Sequence, residues 1–159
     1  MTIVGFHHVG IVVPDLAQAE RFYCEVFELE IVGRFEMDTA QQDWVHKVTG
    51  LEDAAGRAVQ LKGKNGFLEL FEFIRPSSQN DGSQPSPTQQ GYAHIAFQVT
   101  GIDQVLQRLI EAGGSSHGLP HPVGKAIAIY CRDPFGNIIE LLEFVKDDAP
   151  FDLSKTSRG

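Results

Sequence analysis

Cysteine is scarce in this sequence, and an excess of basic residues is absent. The two cysteines, Cys24 and Cys131, are too few for a disulfide framework, so we expect reduced thiols in a cytoplasmic protein. The formal net charge of −8 disfavours nucleic acid and anionic membrane as partners, because both bind basic surfaces. No segment approaches the roughly 20 apolar residues that span a bilayer. No basic leader precedes the first strand pattern, so export is not expected.

What the sequence does contain is an internal repeat. "HHVGIVVPDLAQAERFYCEVFEL" from His7 aligns with "AHIAFQVTGIDQVLQRLIEAGG" from Ala93, and each reads as a strand followed by an amphipathic helix. "GFLELFEF" from Gly66 likewise matches "NIIELLEF" from Asn137, and both carry a carboxylate inside an apolar strand. The order of patterns predicts β-α-β-β-β twice, an α+β fold in one domain covering residues 1–159.

The repeat divides the chain into four segments: module one at about 5–75, a flexible linker at about 76–90, module two at about 91–146 and a solvated, poorly ordered acidic tail at 147–159. Helices are predicted at about 15–29, with Asp15 as the N-cap, and at about 102–112. "DWVHKVTGL" predicts a short helical insertion in module one. The middle strand of module two is only weakly indicated, near 115–119.

Strand alternation places four polar side chains on the face opposite the branched residues that pack on the helices: His8, Glu69, His94 and Glu140. Each module thus offers one inward histidine on its first strand and one inward glutamate on its last. His7, Glu72 and Glu143 have the opposite parity, and we interpret His7 as structural. Buried carboxylates need partners, and imidazole with carboxylate suits a divalent Zn, Ni, Co, Mn or Fe ion. The four residues therefore predict one metal site with positions open to water or substrate.

The paired modules, with "HHVGIVVPDLAQAERFY", "FLELFEF", "YAHIAFQV" and "DPFGNIIELLE", resemble the vicinal oxygen chelate superfamily over about residues 5–146. That superfamily includes glyoxalase I, methylmalonyl-CoA epimerase, extradiol dioxygenases and fosfomycin-resistance proteins. The resemblance implies two βαβββ modules that form a curved mixed sheet around the metal. The family's ligand positions fall on the same four residues.

Details of the resemblance favour particular branches. Extradiol dioxygenases lack a ligand at the position of Glu69, so Glu69 favours the isomerase and lyase branches. Glyoxalase I has Arg and Asn, used for glutathione, where this chain has Val12 and Phe73. The resemblance therefore implies a substrate less polar than a glutathione adduct. The long spacing from Glu69 to His94 is closer to the epimerase and favours a site closed within one chain.

The expected activity is that of a glyoxalase-like isomerase, epimerase or lyase. A small carbonyl or acyl substrate would chelate the metal, which would stabilise the enolate formed when an α-proton leaves. Glu140 is the first candidate base, and Glu52, which lies where the epimerase has another acid, is the second. The expected partners are the small-molecule substrate and a second copy in a homodimer.

Two alternatives stay open from the sequence. One is an iron-dependent extradiol-type dioxygenase, and the other is a non-catalytic small-molecule-binding protein of the bleomycin-sequestering kind. His46, His117 and His121 are interpreted as surface residues in loops or in the insertion. Lys125 and Arg34 are candidates for receiving a substrate carboxylate, without support from their spacing.

Overall fold

Each repeat builds its own mixed sheet in the computed structural model, which describes residues 2–77 and 84–155. The chain divides into two units, Met1–Gly82 and Ser83–Gly159, with the boundary inside the predicted linker. Residues 78–83 of that linker and 156–159 of the predicted tail lie outside the described residues. The α+β prediction is confirmed, as one mixed sheet in each unit. No helix in the described part of the chain is long and apolar enough to cross a membrane.

The first unit follows the predicted strand order. Its elements are β1 (His8–Val12), α1 (Leu16–Phe27), β2 (Glu30–Asp38), α2 (Asp43–Thr49), β3 (Ala55–Lys62) and β4 (Phe67–Arg75). The strands lie in the order β1-β4-β3-β2, with β1 parallel to β4 and the other pairs antiparallel. The outer strands of the module therefore become neighbours, which places His8 and Glu69 on adjacent strands.

Helix α1 begins at its predicted cap. The Asp15 carboxylate accepts the backbone N–H of Gln18 at 2.9 Å, and the helix ends where Glu28 adopts a left-handed conformation. Its apolar stripe is buried, and α1 packs on β3 and β4. The buried residues of the stripe and the two strands are Leu16, Ala19, Phe22, Tyr23, Val26, Val59, Leu61, Leu68 and Leu70. This apolar layer occupies the sheet face opposite Glu69.

Helix α2 is the predicted insertion, and it packs on the same sheet face as Glu69. Val45 is fully buried in a cluster with Met37, Ala54 and Ala58, against which Leu51, Phe71 and Phe73 pack. Phe71 and Phe73 alternate with Leu70 and Glu72 along β4 and so share the face of Glu69. The insertion therefore covers one end of that face with apolar side chains.

The second unit repeats the arrangement with one additional strand. Its elements are β5 (Ile95–Gln98), α3 (Ile102–Glu111), β6 (Ser115–Ser116), β7 (His121–Val123), β8 (Ala126–Arg132) and β9 (Ile138–Phe144). The order is β5-β9-β8-β6, with β7 also paired to β8 and with β5 parallel to β9. Helix α3 contacts β9 and β6 through its buried residues. Here too the first and last strands of the module are neighbours.

The weak middle strand of module two is predicted as one run near 115–119, and that prediction is wrong. The structure has β6 and β7, two short strands that both pair with β8. Pro120 lies between them and lacks the N–H that a continuous ladder would need. His121, expected in a loop, lies exposed on β7.

The prediction of a solvated, poorly ordered tail is wrong for residues 147–155. Ala149 and Asp152 are buried, and Asp152 accepts hydrogen bonds from the Gln98 amide at 2.7 Å and the Ser154 hydroxyl at 2.7 Å. The Gln98 side chain in turn accepts the N–H of Leu153 at 2.8 Å. One acidic residue of this segment, Asp152, thus hydrogen-bonds to Gln98 of β5.

Candidate functional site

In the first unit, the structure brings His8 and Glu69 together. His8 Nε2 lies 3.2 Å from Glu69 Oε2. Glu69 is aligned with Gly10 of β1, the glycine two residues after His8, and a Cβ there would lie 3.3 Å from the Phe71 ring. Glycine at this position therefore leaves room for the Phe71 ring, which lies on the same face as Glu69.

In the second unit, His94 and Glu140 form the equivalent pair. His94 Nε2 lies 3.1 Å from Glu140 Oε2. The Glu69 and Glu140 side chains are 18% and 21% exposed, so both are largely shielded and still reachable from solvent. The two pairs consist of the four predicted residues, although His8 and His94 are exposed and His94 lies one residue before β5.

The other nitrogen of each histidine also has a neighbour, which the sequence reasoning missed. His7 Nδ1 lies 2.8 Å from His8 Nδ1, and the His7 ring stacks on Phe67. Tyr130 Oη lies 3.4 Å from His94 Nδ1, with the two ring centroids 4.8 Å apart. Such contacts at Nδ1 orient the ring and leave Nε2 directed at the glutamate.

The register of the β8–β9 hairpin places Tyr130 in the site, because its Cα partner is Glu140. The equivalent neighbour of Glu69 is Gln60 on β3. Residues aligned across an antiparallel ladder share a face. Tyr130 and Gln60 therefore lie on the faces that carry the two pairs.

The glutamates of opposite parity have a structural role. Glu72 Oε2 accepts the backbone N–H of Leu16 at 2.8 Å, at the start of α1. Glu143 accepts the N–H groups of Gly101 and Ile102 at 2.8 and 2.9 Å, at the start of α3. A carboxylate at a helix N-terminus satisfies N–H groups that lack intrahelical partners and complements the helix dipole. In each module, the second glutamate of the last strand therefore caps the start of a helix.

The two pairs have the chemistry of metal ligands. Imidazole nitrogen and carboxylate oxygen bind first-row divalent ions. Two such atoms, each about 2.1 Å from one ion, lie about 3.0–3.4 Å apart for right-angle to tetrahedral coordination, close to the distances in both pairs. Among the described residues no group of three or more His, Cys, Asp or Glu side chains is placed to hold one metal ion. Each pair fits half of the predicted four-ligand set.

Glu52, the second candidate base, lies exposed in the bend before β3. Its neighbour Asp53 pairs with Arg75 at 2.9 Å. Gln60, the partner of Glu69, lies five residues along β3 from Ala55, which corresponds to about 17 Å of strand. Glu52 therefore lies beyond the far end of the strand that carries the partner of Glu69.

The remaining polar candidates have partners outside the two pairs. His46 Nδ1 contacts the Leu51 carbonyl at 3.1 Å, and His117 Nδ1 contacts the Tyr130 carbonyl at 3.1 Å. Arg34, considered for a substrate carboxylate, pairs with Glu20 at 2.7 Å. Lys125, considered for the same role, pairs with Asp148. Arg34 and Lys125 therefore both form ion pairs with carboxylates outside the two histidine–glutamate pairs.

Neither cysteine takes part in the pairs. Both are free thiols, Cys131 buried and Cys24 partly buried. Burial raises the pKa of the Cys131 thiol, and burial together with the charge of Glu20 raises the pKa of Cys24. A raised pKa disfavours the thiolate, so neither residue has the character of a nucleophile.

The sequence and the fold are both similar to those of known proteins. Residues 5–141 match the model of the Glyoxalase/Bleomycin resistance protein/Dioxygenase superfamily. Among solved structures, a glyoxalase family protein from Bacillus cereus superposes with a TM-score of 0.81 at 26% identity, covering 92% of this chain and 97% of that one. The fosfomycin resistance protein FosX from Mesorhizobium loti shares the fold, with a TM-score of 0.56 and 18% identity over 88% of this chain and 91% of that one.

Two characterised relatives are enzymes by name. A 2-epi-5-epi-valiolone epimerase from Actinomyces sp. is 30% identical over 157 residues, which cover 94% of this chain and 84% of the relative. The lactoylglutathione lyase GLX1 from Arabidopsis thaliana is 23% identical over 92% of this chain, but the match spans only 46% of that protein. With a family match over most of its length, the chain belongs to the Glyoxalase/Bleomycin resistance protein/Dioxygenase superfamily.

Proposed function

We propose that this protein is a glyoxalase-like, metal-dependent isomerase or epimerase, or a lyase, that acts on a small carbonyl or acyl compound through an enolate. The observation that carries the proposal is the repetition of one histidine–glutamate pair, at 3.2 Å in one unit and 3.1 Å in the other. We propose that His8, Glu69, His94 and Glu140 together hold one divalent ion, Zn, Ni, Co or Mn. The 30% identity to an epimerase and the carboxylate at Glu69 favour isomerisation over oxygen chemistry.

The chemistry would proceed by removal and return of an α-proton. A divalent cation at these residues would supply the positive charge that stabilises an enolate. Glu140 is the proposed base, because its carboxylate is partly exposed beside His94 and can accept a proton from a substrate carbon. Return of the proton to the other face of the carbon would give epimerisation. Glu52 remains the second candidate base, although its exposed position is typical of a solvated acid.

The surroundings of Glu69 favour a substrate with an apolar part. Phe67, Phe71 and Phe73 share its face and are partly buried, and the Phe71 and Phe73 rings stack 6.0 Å apart. Packing of these rings beside the pair excludes water from one side of the site. Water exclusion strengthens the electrostatic interactions on which enolate formation depends.

Solvent deuterium exchange tests the proposal even when the reaction product is unidentified. Metal-loaded protein is incubated in D₂O with a panel of 2-keto, hydroxy-keto and malonyl-type acids, and α-deuteration is followed by NMR and mass spectrometry. We expect one class to exchange, and Glu140→Gln to abolish exchange. Glu143→Gln is the matched control, since Glu143 lies on the same strand and faces α3. Glu52→Gln should slow exchange with unchanged metal content only if Glu52 is a second base.

The dioxygenase alternative gives the opposite result in the same experiment. Iron-loaded protein would then consume dioxygen with a catechol, and Glu69→Gln would leave that activity unchanged. Oxygen-dependent product formation together with no exchange from any acid would overturn the isomerase proposal. Retention of a small molecule without exchange, oxygen uptake or metal would favour the non-catalytic binding protein.

A further inference from the structure

A cavity of about 500 Å³ lies in the second unit, between the linker residue Pro87 and strands β6, β8 and β9. Tyr130 lines this cavity and also contacts the His94 ring. Arg132 and Ser115, which line it as well, are aligned with each other across β8 and β6 and share the face of Tyr130. The volume lies in the range of small-molecule sites. The cavity is therefore continuous with the sheet face that carries Glu140.

The lining of this cavity is cationic and rich in donors. The lining residues include Arg132, Ser115, His117 and Tyr130, which all carry hydrogen-bond donors. None of the described lining residues is acidic, although the chain has a net charge of −8. Anions are therefore repelled over much of the protein and attracted here.

The guanidinium is held in place by groups that carry no formal charge. Arg132 Nη1 donates to the Gly136 carbonyl at 2.6 Å, and Nη2 donates to the Pro85 carbonyl at 2.7 Å. The adjacent Asp133 carboxylate accepts hydrogen bonds from the backbone N–H groups of Phe135 and Asn137 and from the Asn137 side-chain amide in the same turn. Carbonyl partners orient the guanidinium without neutralising its charge, and Arg132 lines the cavity.

We propose that this cavity binds a carboxylate of the substrate, so that the substrate is a small organic acid with a carbonyl group near its carboxylate. That the bound carboxylate belongs to a substrate rests on the proposed function. Arg132 is the one permanently charged cation among the described lining residues and balances one negative charge. A monocarboxylate is therefore favoured over a doubly charged phosphate. The Ser115 hydroxyl would supply a further donor to its oxygens. Tyr130 lies between the cavity and His94. A substrate whose carboxylate is bound in the cavity would therefore extend past Tyr130, with its reacting carbon near His94.

The test uses metal-free protein, propionate as the probe and propionamide as its uncharged isostere. Backbone amide NMR shifts are followed during each titration. We expect propionate to shift the amides of Ser115, Ser116, His117 and Arg132, and propionamide to leave them unchanged. Arg132→Gln should weaken propionate binding about tenfold or more, because it removes a charge-assisted hydrogen bond. Lys146→Gln, which removes an exposed positive charge from the same unit, should leave binding unchanged.

Ser115→Asp keeps the test decisive if loss of the Arg132 hydrogen bonds unfolds the turn. Ser115 is exposed on β6, so the substitution is tolerated sterically and places a negative charge at the cavity. We expect it to abolish propionate binding. Equal binding of propionate and propionamide, or equal affinity in Arg132→Gln and Lys146→Gln, would overturn the inference. Because no metal is present, Arg132-dependent binding would stand even if the four proposed ligands fail to bind metal.

Discussion

Glu69 and Glu72 lie three residues apart on β4, and their carboxylates have opposite surroundings. Glu69 lies 3.2 Å from His8 Nε2, whereas Glu72 accepts the N–H of Leu16 at the start of α1. The same division recurs on β9 between Glu140 and Glu143. An odd spacing in a strand places the two side chains on opposite faces. Each module therefore has one glutamate available for chemistry and one that holds a helix.

Replacement of the proposed ligands should remove metal. We expect His8→Ala, His94→Ala and Glu140→Ala each to lose most bound metal, because each removes one of four donors. Glu72→Ala is the control and should retain it, and His7→Ala, which removes only the neighbour of His8 Nδ1, should retain most of it. Metal per folded protein is measured by mass spectrometry after purification without chelator. Loss of metal in His7→Ala but not in His8→Ala would assign the ligand position to His7.

Replacement of the helix-holding glutamate should reduce stability instead. Glu143→Ala removes two charge-assisted hydrogen bonds at the start of α3, and we expect the free energy of unfolding to fall by about 2–3 kcal/mol. Urea denaturation measures this change. Glu111→Ala, which removes an exposed carboxylate at the other end of α3, should cost no more than about 0.5 kcal/mol. Equal losses in the two variants would contradict the role of Glu143.

Tyr130→Phe should weaken metal binding without unfolding the protein. The substitution keeps the ring against His94 and removes the hydroxyl that lies 3.4 Å from its Nδ1. We expect about tenfold lower metal affinity, the lower end of the effect of groups that orient a ligand histidine. Competition with a chromogenic chelator measures it. Tyr92→Phe, at a fully exposed position, is the control, and an unchanged affinity in Tyr130→Phe would exclude an orienting role.

Asp152 should make the protein less stable in acid. Hydrogen bonds from Ser154 and Gln98 lower the pKa of its carboxyl to about 2, from 3.8 in an unfolded chain. Because the native state binds this proton less readily, its stabilisation is complete above about pH 4 and is lost as the pH falls to about 2. Asp152→Asn should therefore lower the urea midpoint at pH 7 and match the original protein near pH 2. Asp148→Asn, at an exposed carboxylate, should show no such convergence.

Local patterns in the sequence predicted most of the elements. The capping aspartate and the apolar spacing placed α1 within two residues of its observed end. Strand parity separated Glu69 from Glu72 because side chains alternate whatever the strands pair with. The pattern failed at β6 and β7, where proline interrupts the run and only pairing with β8 makes strands of two and three residues. It also failed at 147–155, whose composition is typical of a solvated tail.

By itself, the sequence determined the repeat, the α+β class and the four candidate ligands, because these depend on periodicity and residue chemistry. Only the tertiary structure decided which groups these residues meet. The parallel pairing of first and last strands brings His8 to Glu69 and His94 to Glu140 across 61 and 46 positions of sequence. It also decided that Tyr130 contacts His94, that Glu72 and Glu143 hold helices, and that Arg132 faces a cavity. Long-range strand pairing fixes these contacts, and no local pattern specifies its register.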